Sequence, residues 1–490
     1  MFHTDQLRLQ LDDATLCGND AAEDEEDVVF QSYAVQRPEV ISFLNASKSI
    51  CIAKAYKGEG KSALLRLVAM KLASYEDLSL VVFIPATQIS PDLQTTDPDE
   101  WVRAWKKAIL KQAACEIGNN ISFAFKDDGI SLVEEAERYG FRQRSFVSSL
   151  TERLRSEAVP IERRQVDNVN HEKVLQRWLN KGSLVWFLID DLDYNFENNL
   201  KYKVKISSFF TAIRHICNLI PEFRFRATIR PNVWALVKEE HESLSHVEQY
   251  LVSLKWSAAD YYELIARRVE GYLKRKDLWK KVEGLLSGDN NSKNRQLISF
   301  VFDDPMPWGR RNRSPVTVLY TLSQYRPRWL VELWRVSANA AVVCGNQKIS
   351  FGNIDGELKS FGDRRIQDTI AEFKSQCPEV KELIVSFVDQ PEGFSTDELM
   401  KLITSRILQS VSPNITGVWG KPTNIDVAKF LYQIGFLTAR KTEENGEYHH
   451  VLFAESPTLL DARTNLDQGY SWEIHPVFRQ PLRLKNVVRK

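Results

Sequence analysis

With 490 residues, 43% of them hydrophobic and 27% charged, the chain has the composition of a globular protein and is long enough for roughly three domains. Lys plus Arg and Asp plus Glu both number 65, so overall charge gives no support for a nucleic-acid partner. Cysteines at 17, 51, 115, 217, 344 and 377 show no CxxC spacing, no apolar run reaches membrane-spanning length and no signal-peptide pattern opens the chain. These features argue against a disulfide or zinc framework and against a membrane protein, and they place the chain in the cytoplasm with reduced thiols.

Residues 1–45 form an N-terminal segment whose acidic run, Asp20 to Asp27, reads as a solvated loop before a helix-like stretch from Pro38 to Leu44. An α/β domain follows over 46–245. Its first strand, Ser49 to Ala53, feeds the loop Ala55-Tyr56-Lys57-Gly58-Glu59-Gly60-Lys61-Ser62, and Ala63 continues into an apolar helix. This is a Walker A pattern. Glycines let successive N–H groups close around a phosphate, Lys61 reaches the terminal phosphates, Ser62 offers a hydroxyl to Mg²⁺, and the helix start adds its positive dipole end. Ala55 stands where the pattern usually has its first glycine. Gly58 and Gly60 keep the loop permissive, since both can take positive φ.

Leu80 to Pro85 reads as a second strand, and a helix-rich insertion spans about 97–176. In it, Trp101 and Trp105 share one helical face, the spacing of core packing. After a turn at Lys181-Gly182-Ser183, the apolar run Leu184 to Ile189 fits a central parallel strand, and Asp190-Asp191-Leu192-Asp193 at its tip is a Walker B pattern. Asp190 is the expected Mg²⁺ ligand with Ser62. Asp191 occupies the place where many ATPases carry a glutamate that polarises the attacking water, and its shorter side chain predicts slow hydrolysis, a nucleotide-gated switch, or a scaffold that binds without hydrolysing. A further strand, Phe223 to Ile229, ends at Arg230, which would sense the γ-phosphate in its own subunit or across an oligomer interface; the alternative is that its arginines pair with acids. Arg226 and Thr228 are weaker candidates.

Helical patterning over 246–350 reads as a lid, in which Arg326 and Arg328 flank Pro327 at a helix start as phosphate sensors or as partners of local acids. Residues 351–490 show helix, capped helix, helix and strand pair, the order of a winged-helix-like domain. Ser395 with Thr396, Asp397 and Glu398 gives an N-cap signature, Gly435 ends the last helix, and Tyr448 to Phe453 reads as a wing strand. The helix from Asp426 to Leu437 carries Lys429 as its basic residue, which suits packing better than DNA reading. His449, His450 and His475 lack metal-ligand company and read as core or surface residues.

The motifs AYKGEGKSALL, VWFLIDDLD, TIRPNVW, YRPRWLVELW and EIHPVFR together resemble a group of bacterial P-loop ATPases near the AAA+, STAND and KAP types, over most of the chain. The resemblance implies an ATP- and Mg²⁺-dependent ATPase of α/β fold, with a parallel-sheet P-loop core, a helical lid and a C-terminal winged-helix-like domain. It further implies a sensor or switch of an antiphage defence locus that forms a homo-oligomer and regulates a separate effector encoded nearby. An initiator- or loader-type AAA+ ATPase that engages DNA through its winged helix remains the alternative.

Overall fold

The structure, a computed structural model, describes residues 8–75, 79–120, 127–141, 170–179, 183–240, 242–309, 311–442, 448–453, 455–460 and 469–486. Much of the expected insertion and part of the Lys181–Ser183 turn lie outside these. The chain divides into two compact units, one of residues 36–56 and 61–254, the other of 1–35, 57–60 and 255–490.

The first unit is built on a five-stranded sheet in the order β2-β3-β4-β1-β5, every pair parallel. Its elements run α1 (Pro38–Leu44), β1 (Ile50–Lys54), α2 (Lys61–Ala73), β2 (Leu80–Pro85), α3 (Pro98–Asn120), β3 (Val185–Asp190), α4 (Leu200–Leu219), β4 (Phe223–Ile229), α5 (Pro231–Glu240) and β5 (Leu251–Ser253). A central parallel strand is covered on both faces and must be apolar throughout. Accordingly β3 is buried along its whole length. Phe187 stacks on Phe223 and Phe225, while Trp105 of α3 meets Phe209 of α4 edge-on at 5.1 Å. Trp101 and Trp105 are both fully buried, and each indole N–H donates to a backbone carbonyl, that of Thr95 and of Lys205. Each such buried large side chain contributes about 1.5–3 kcal/mol of transfer free energy.

The second unit joins the N-terminal segment to the lid and C-terminal elements: α6 (Ala258–Arg275), a hairpin of β6 (Met306–Trp308) and β7 (Arg311–Arg313), α7 (Pro315–Leu322), α8 (Pro327–Val343), α9 (Phe351–Phe373), α10 (Val380–Val385), β8 (Gly393–Phe394), α11 (Thr396–Leu402), α12 (Asn424–Gln433), β9 (Leu437–Thr442), β10 (Tyr448–Val451), β11 (Tyr470–Ile474) and α13 (Pro476–Arg479). The N-terminal segment is tied to α6 through Arg268, whose guanidinium lies 3.8 Å from the Tyr33 ring and donates to the Cys17 carbonyl. The acidic run is only partly a loop, since Asp27 begins a helix that ends at Tyr33. Four antiparallel strands pair in the order β10-β9-β11-β8. The expected cap forms: Ser395 Oγ accepts from Glu398 N–H, and the Glu398 carboxylate accepts from Ser395 N–H. Gly435, at φ 72°, follows α12 as expected.

Candidate functional site

The strand order itself points to one edge of the sheet. From β1 the chain crosses to β2 at one side, whereas from β4 it crosses to β5 at the other, so the winding direction reverses between neighbours β1 and β4. Open α/β sheets bind ligands outside the carboxyl ends of their strands at such a reversal. There β1 runs into Ala55, β4 into Arg230 and the adjacent β3 into Asp190 and Asp191.

The Ala55 N–H donates to the Ile229 carbonyl at 3.2 Å, and the residue is 1% exposed. Its φ is not positive, so a methyl group costs nothing where glycine is usual. Gly58 and Gly60 do take positive φ, 83° and 94°. Lys61 opens α2, is 8% exposed, and its ammonium lies 3.4 Å from the Tyr56 carbonyl, a contact that keeps the cation inside the loop. Tyr56 and Lys61 bound the loop in the first unit, while its tip, Lys57–Gly60, packs in the second.

At the end of β3, the Asp190 carboxylate is 8% exposed. Thr228 Oγ1 donates to its Oδ1 at 2.6 Å and the Asp191 N–H to the same oxygen at 2.9 Å, so Oδ2 is the oxygen left for a cation. Hydroxyl and carboxylate oxygens are the donors Mg²⁺ prefers, and Ser62 and Asp190 fit it on that chemistry. Asp191 is exposed with φ 52°, a left-handed conformation that turns its side chain out of the strand direction. Among the described residues no group of three His, Cys, Asp or Glu side chains is placed to hold a metal by itself.

Arg230 meets Asp193. Its backbone N–H and its Nε donate to Asp193 Oδ2 at 2.7 and 2.8 Å, its Nη2 donates to the Asp193 carbonyl, and Asp193 is 2% exposed. Arg226, on β4, is fully buried, and among the described residues no acid pairs with it: its guanidinium donates to the carbonyls of Phe43, Asn45, Lys48 and Phe225 and stacks 4.7 Å from the Trp186 ring centroid. Burial pushes its pKa down to about 10. It therefore serves as a structural clamp on the end of α1, and Thr228 is the one of the two beside the acidic cluster.

Within the second unit, Arg326 is 6% exposed and pairs with Glu372 at 2.7 Å, whereas the Arg328 side chain is 42% exposed and lies 3.8 Å from Asp20. Asp193 stood in the sequence as the last acid of the Walker B pattern without a role of its own, and Glu372 carried no signal beyond being an acid; their partners identify what each does. His450 contacts Glu473 at 2.9 Å, together with Arg440 and Arg479, and His475 is buried, its Nδ1 accepting from Val477 N–H. No helix among the described residues is long and apolar enough to cross a membrane.

No family model and no curated protein matches this chain. Among solved structures it is similar to the Aeropyrum pernix ORC2 protein in its ADPNP–ADP complexes, at 10% identity over 90% of this chain and 88% of that one, TM-score 0.37. It is also similar to CDC6P from Pyrobaculum aerophilum, at 12% identity over 96% and 98%, TM-score 0.31, and to the ADP form of the Aeropyrum pernix protein, at 10% identity over 96% of each, TM-score 0.31. Overlap of this extent fixes neither a family nor an activity for this chain.

Proposed function

We propose that the chain is an ATP- and Mg²⁺-binding P-loop ATPase of slow turnover that works as a nucleotide-dependent switch. The observation that carries this reading is the meeting of two motifs at one topological feature: the Gly58–Ser62 loop follows β1, Asp190 ends β3, and β1 and β4 flank the reversal of winding. Backbone N–H groups from Ala55 to Ala63 would cradle phosphates, with Tyr56, Lys57 and Glu59 in the loop and Lys61 on the terminal phosphates. Ser62 and Asp190 would hold Mg²⁺, which neutralises phosphate charge when bound. Asp191 would orient water, and Arg230 would sense the γ-phosphate. Because Arg230 is engaged by Asp193, it reaches phosphate only by exchanging partners, and this exchange gives the two nucleotide states different conformations. Of the two lid arginines, Arg328 would share this task; Arg326 would do so only after leaving Glu372.

The switch would govern a homo-oligomer or a complex with a separate effector; the antiphage defence role rests on the motif resemblance alone. Lys61→Ala should abolish triphosphate binding, because the phosphate loses its direct cationic partner. Equal ATP affinity in Lys61→Ala and the natural protein would refute the reading. Light-scattering masses that stay the same with ATP, ADP and no nucleotide, with and without the neighbouring gene product, would refute the assembly switch.

A second reading, an initiator- or loader-type ATPase that engages DNA, is favoured by one observation. The C-terminal elements run α10, β8, α11, α12, β9, β10, β11, with β8, β11 and β9 adjacent and antiparallel, an order compatible with a winged helix. A salt-dependent gel shift of duplex DNA, lost in Lys429→Ala with Lys441→Ala, would support it. Unshifted DNA at low salt would exclude it.

A further inference from the structure

Glu372, in the last turn of α9, has a side chain 1% exposed. A carboxylate buried to that degree needs strong donors. Among its donors are the Lys57 backbone N–H at 3.0 Å, from 315 positions earlier in the chain, and Arg326 Nη1 at 2.7 Å. Arg326 Nη1 also donates to the Lys57 carbonyl at 3.2 Å, and its guanidinium lies 4.3 Å from the Trp329 ring centroid. Two residues further along α8, the Arg328 backbone N–H donates to the Gly58 carbonyl at 3.2 Å. Trp256 Nε1–H donates to the Glu59 carbonyl at 2.8 Å. Successive residues of the loop tip are thus held through their backbone, which makes the grip depend on loop conformation. The approach is close: a Cβ on Gly58 would lie 3.2 Å from Arg328 Cβ, at a φ that side chains avoid.

We propose that Glu372 is a positioning residue for the Gly58–Lys61 loop: with Arg326 it holds the loop tip in its phosphate-accepting conformation before nucleotide arrives. The proposal rests on the nucleotide reading of that loop. A glycine loop that is already ordered loses less conformational freedom on closing around phosphates, so affinity should depend on a residue of α9 that touches no phosphate. Because the grip acts on the loop and not on the γ-phosphate, ADP and ATP should be affected alike. A γ-phosphate sensor would separate them.

The test uses the full chain, amide hydrogen exchange at Lys57–Gly60 without nucleotide, and titration with fluorescent ADP and ATP in Mg²⁺. In Glu372→Ala the loop amides should exchange about tenfold faster and both dissociation constants should rise about tenfold, the scale of one lost charge-assisted hydrogen bond. Glu372→Gln, which keeps an acceptor for Lys57 N–H but loses the ion pair, should fall between the two and also serves if the alanine variant does not fold. Loop exchange and both affinities unchanged in the folded variants would overturn the proposal, as would a loss confined to ATP. If the natural protein binds neither nucleotide, the reading of the loop fails; the exchange rates then decide the grip alone, faster exchange upholding it and unchanged exchange removing it.

Discussion

Thr228 Oγ1 donates to Asp190 Oδ1 across 2.6 Å, so a hydroxyl at the end of β4 fixes the carboxylate at the end of β3. With the Asp191 N–H on the same oxygen, the orientation of Asp190 is set from two strands, as groups behind a metal ligand commonly set it.

Thr228→Val keeps the shape and removes the donor. Mg²⁺-dependent ATP turnover should fall about 10- to 100-fold with ATP binding nearly intact, the usual scale for losing a partner of a metal ligand. Asp190→Asn should weaken the Mg²⁺ dependence first. Phosphate release measured against Mg²⁺ concentration checks both, and turnover equal to the natural protein in both variants would remove Asp190 from the site.

Asp191 sits at φ 52°, where Asn is well tolerated and β-branched residues are not. Asp191→Asn should therefore fold normally, bind ATP and lose about 100-fold or more in turnover, as expected for a lost base. Asp191→Val should cost about 1–2 kcal/mol of stability through left-handed strain. Thermal unfolding of the two variants separates the backbone effect from the chemical one.

Arg230→Ala leaves the Asp193 carboxylate buried with the Arg230 backbone N–H but without the guanidinium. A fully buried broken pair costs about 3–5 kcal/mol; with a backbone donor retained and Arg230 itself 23% exposed, we expect about 2 kcal/mol. Nucleotide binding should persist while nucleotide-dependent assembly is lost. Chemical denaturation and light scattering report the two effects separately.

The C-terminal strands should lose stability in acid. Burial pushes the His475 pKa well below its ordinary value, with His450 and Arg479 adding to this, so below about pH 6.5 the unfolded chain takes up a proton that the native state refuses. Protonation would also turn the Nδ1 acceptor for Val477 N–H into a donor. Burial alone would raise Glu473, but the His450 hydrogen bond, the Arg479 charge and the Arg440 hydrogen bond hold its carboxyl far below the usual range. Its contribution is complete above about pH 4.5 and is lost as pH falls further. Stability should thus fall in two stages, and His475→Asn should remove the upper one. A pH-denaturation series with a single stage below pH 4.5 in the natural protein would contradict this assignment.

Much of the sheet was legible because its signals are local. Leu184 to Ile189 read as a strand buried on both faces, and the glycines at 58 and 60 as a loop before a helix; Ser395 and Glu398 announced their cap within four residues. The arginines on β4 and just after it were not legible in this way. Arg224, Arg226 and Arg230 look alike in sequence, yet Arg226 is a buried clamp on carbonyls up to 183 residues away, and Arg230 is tied to Asp193 at a distance of 37. Arg326 and Arg328 show the same limit, since one is paired inside the second unit and the other reaches the surface beside Asp20.

The sequence by itself determined the strand, loop and helix that present Lys61 and Ser62 and the apolar strand that ends in Asp190, because backbone preference and hydrophobic burial act over a few neighbouring residues. The tertiary structure alone decided which polar groups answer one another. Thr228 with Asp190, Asp193 with Arg230, and Glu372 with both Arg326 and the Lys57 N–H are chosen by strand order and by where α9 ends. The physical reason is that a buried charge is tolerated only beside its partner, and the chain brings those partners together from distant positions.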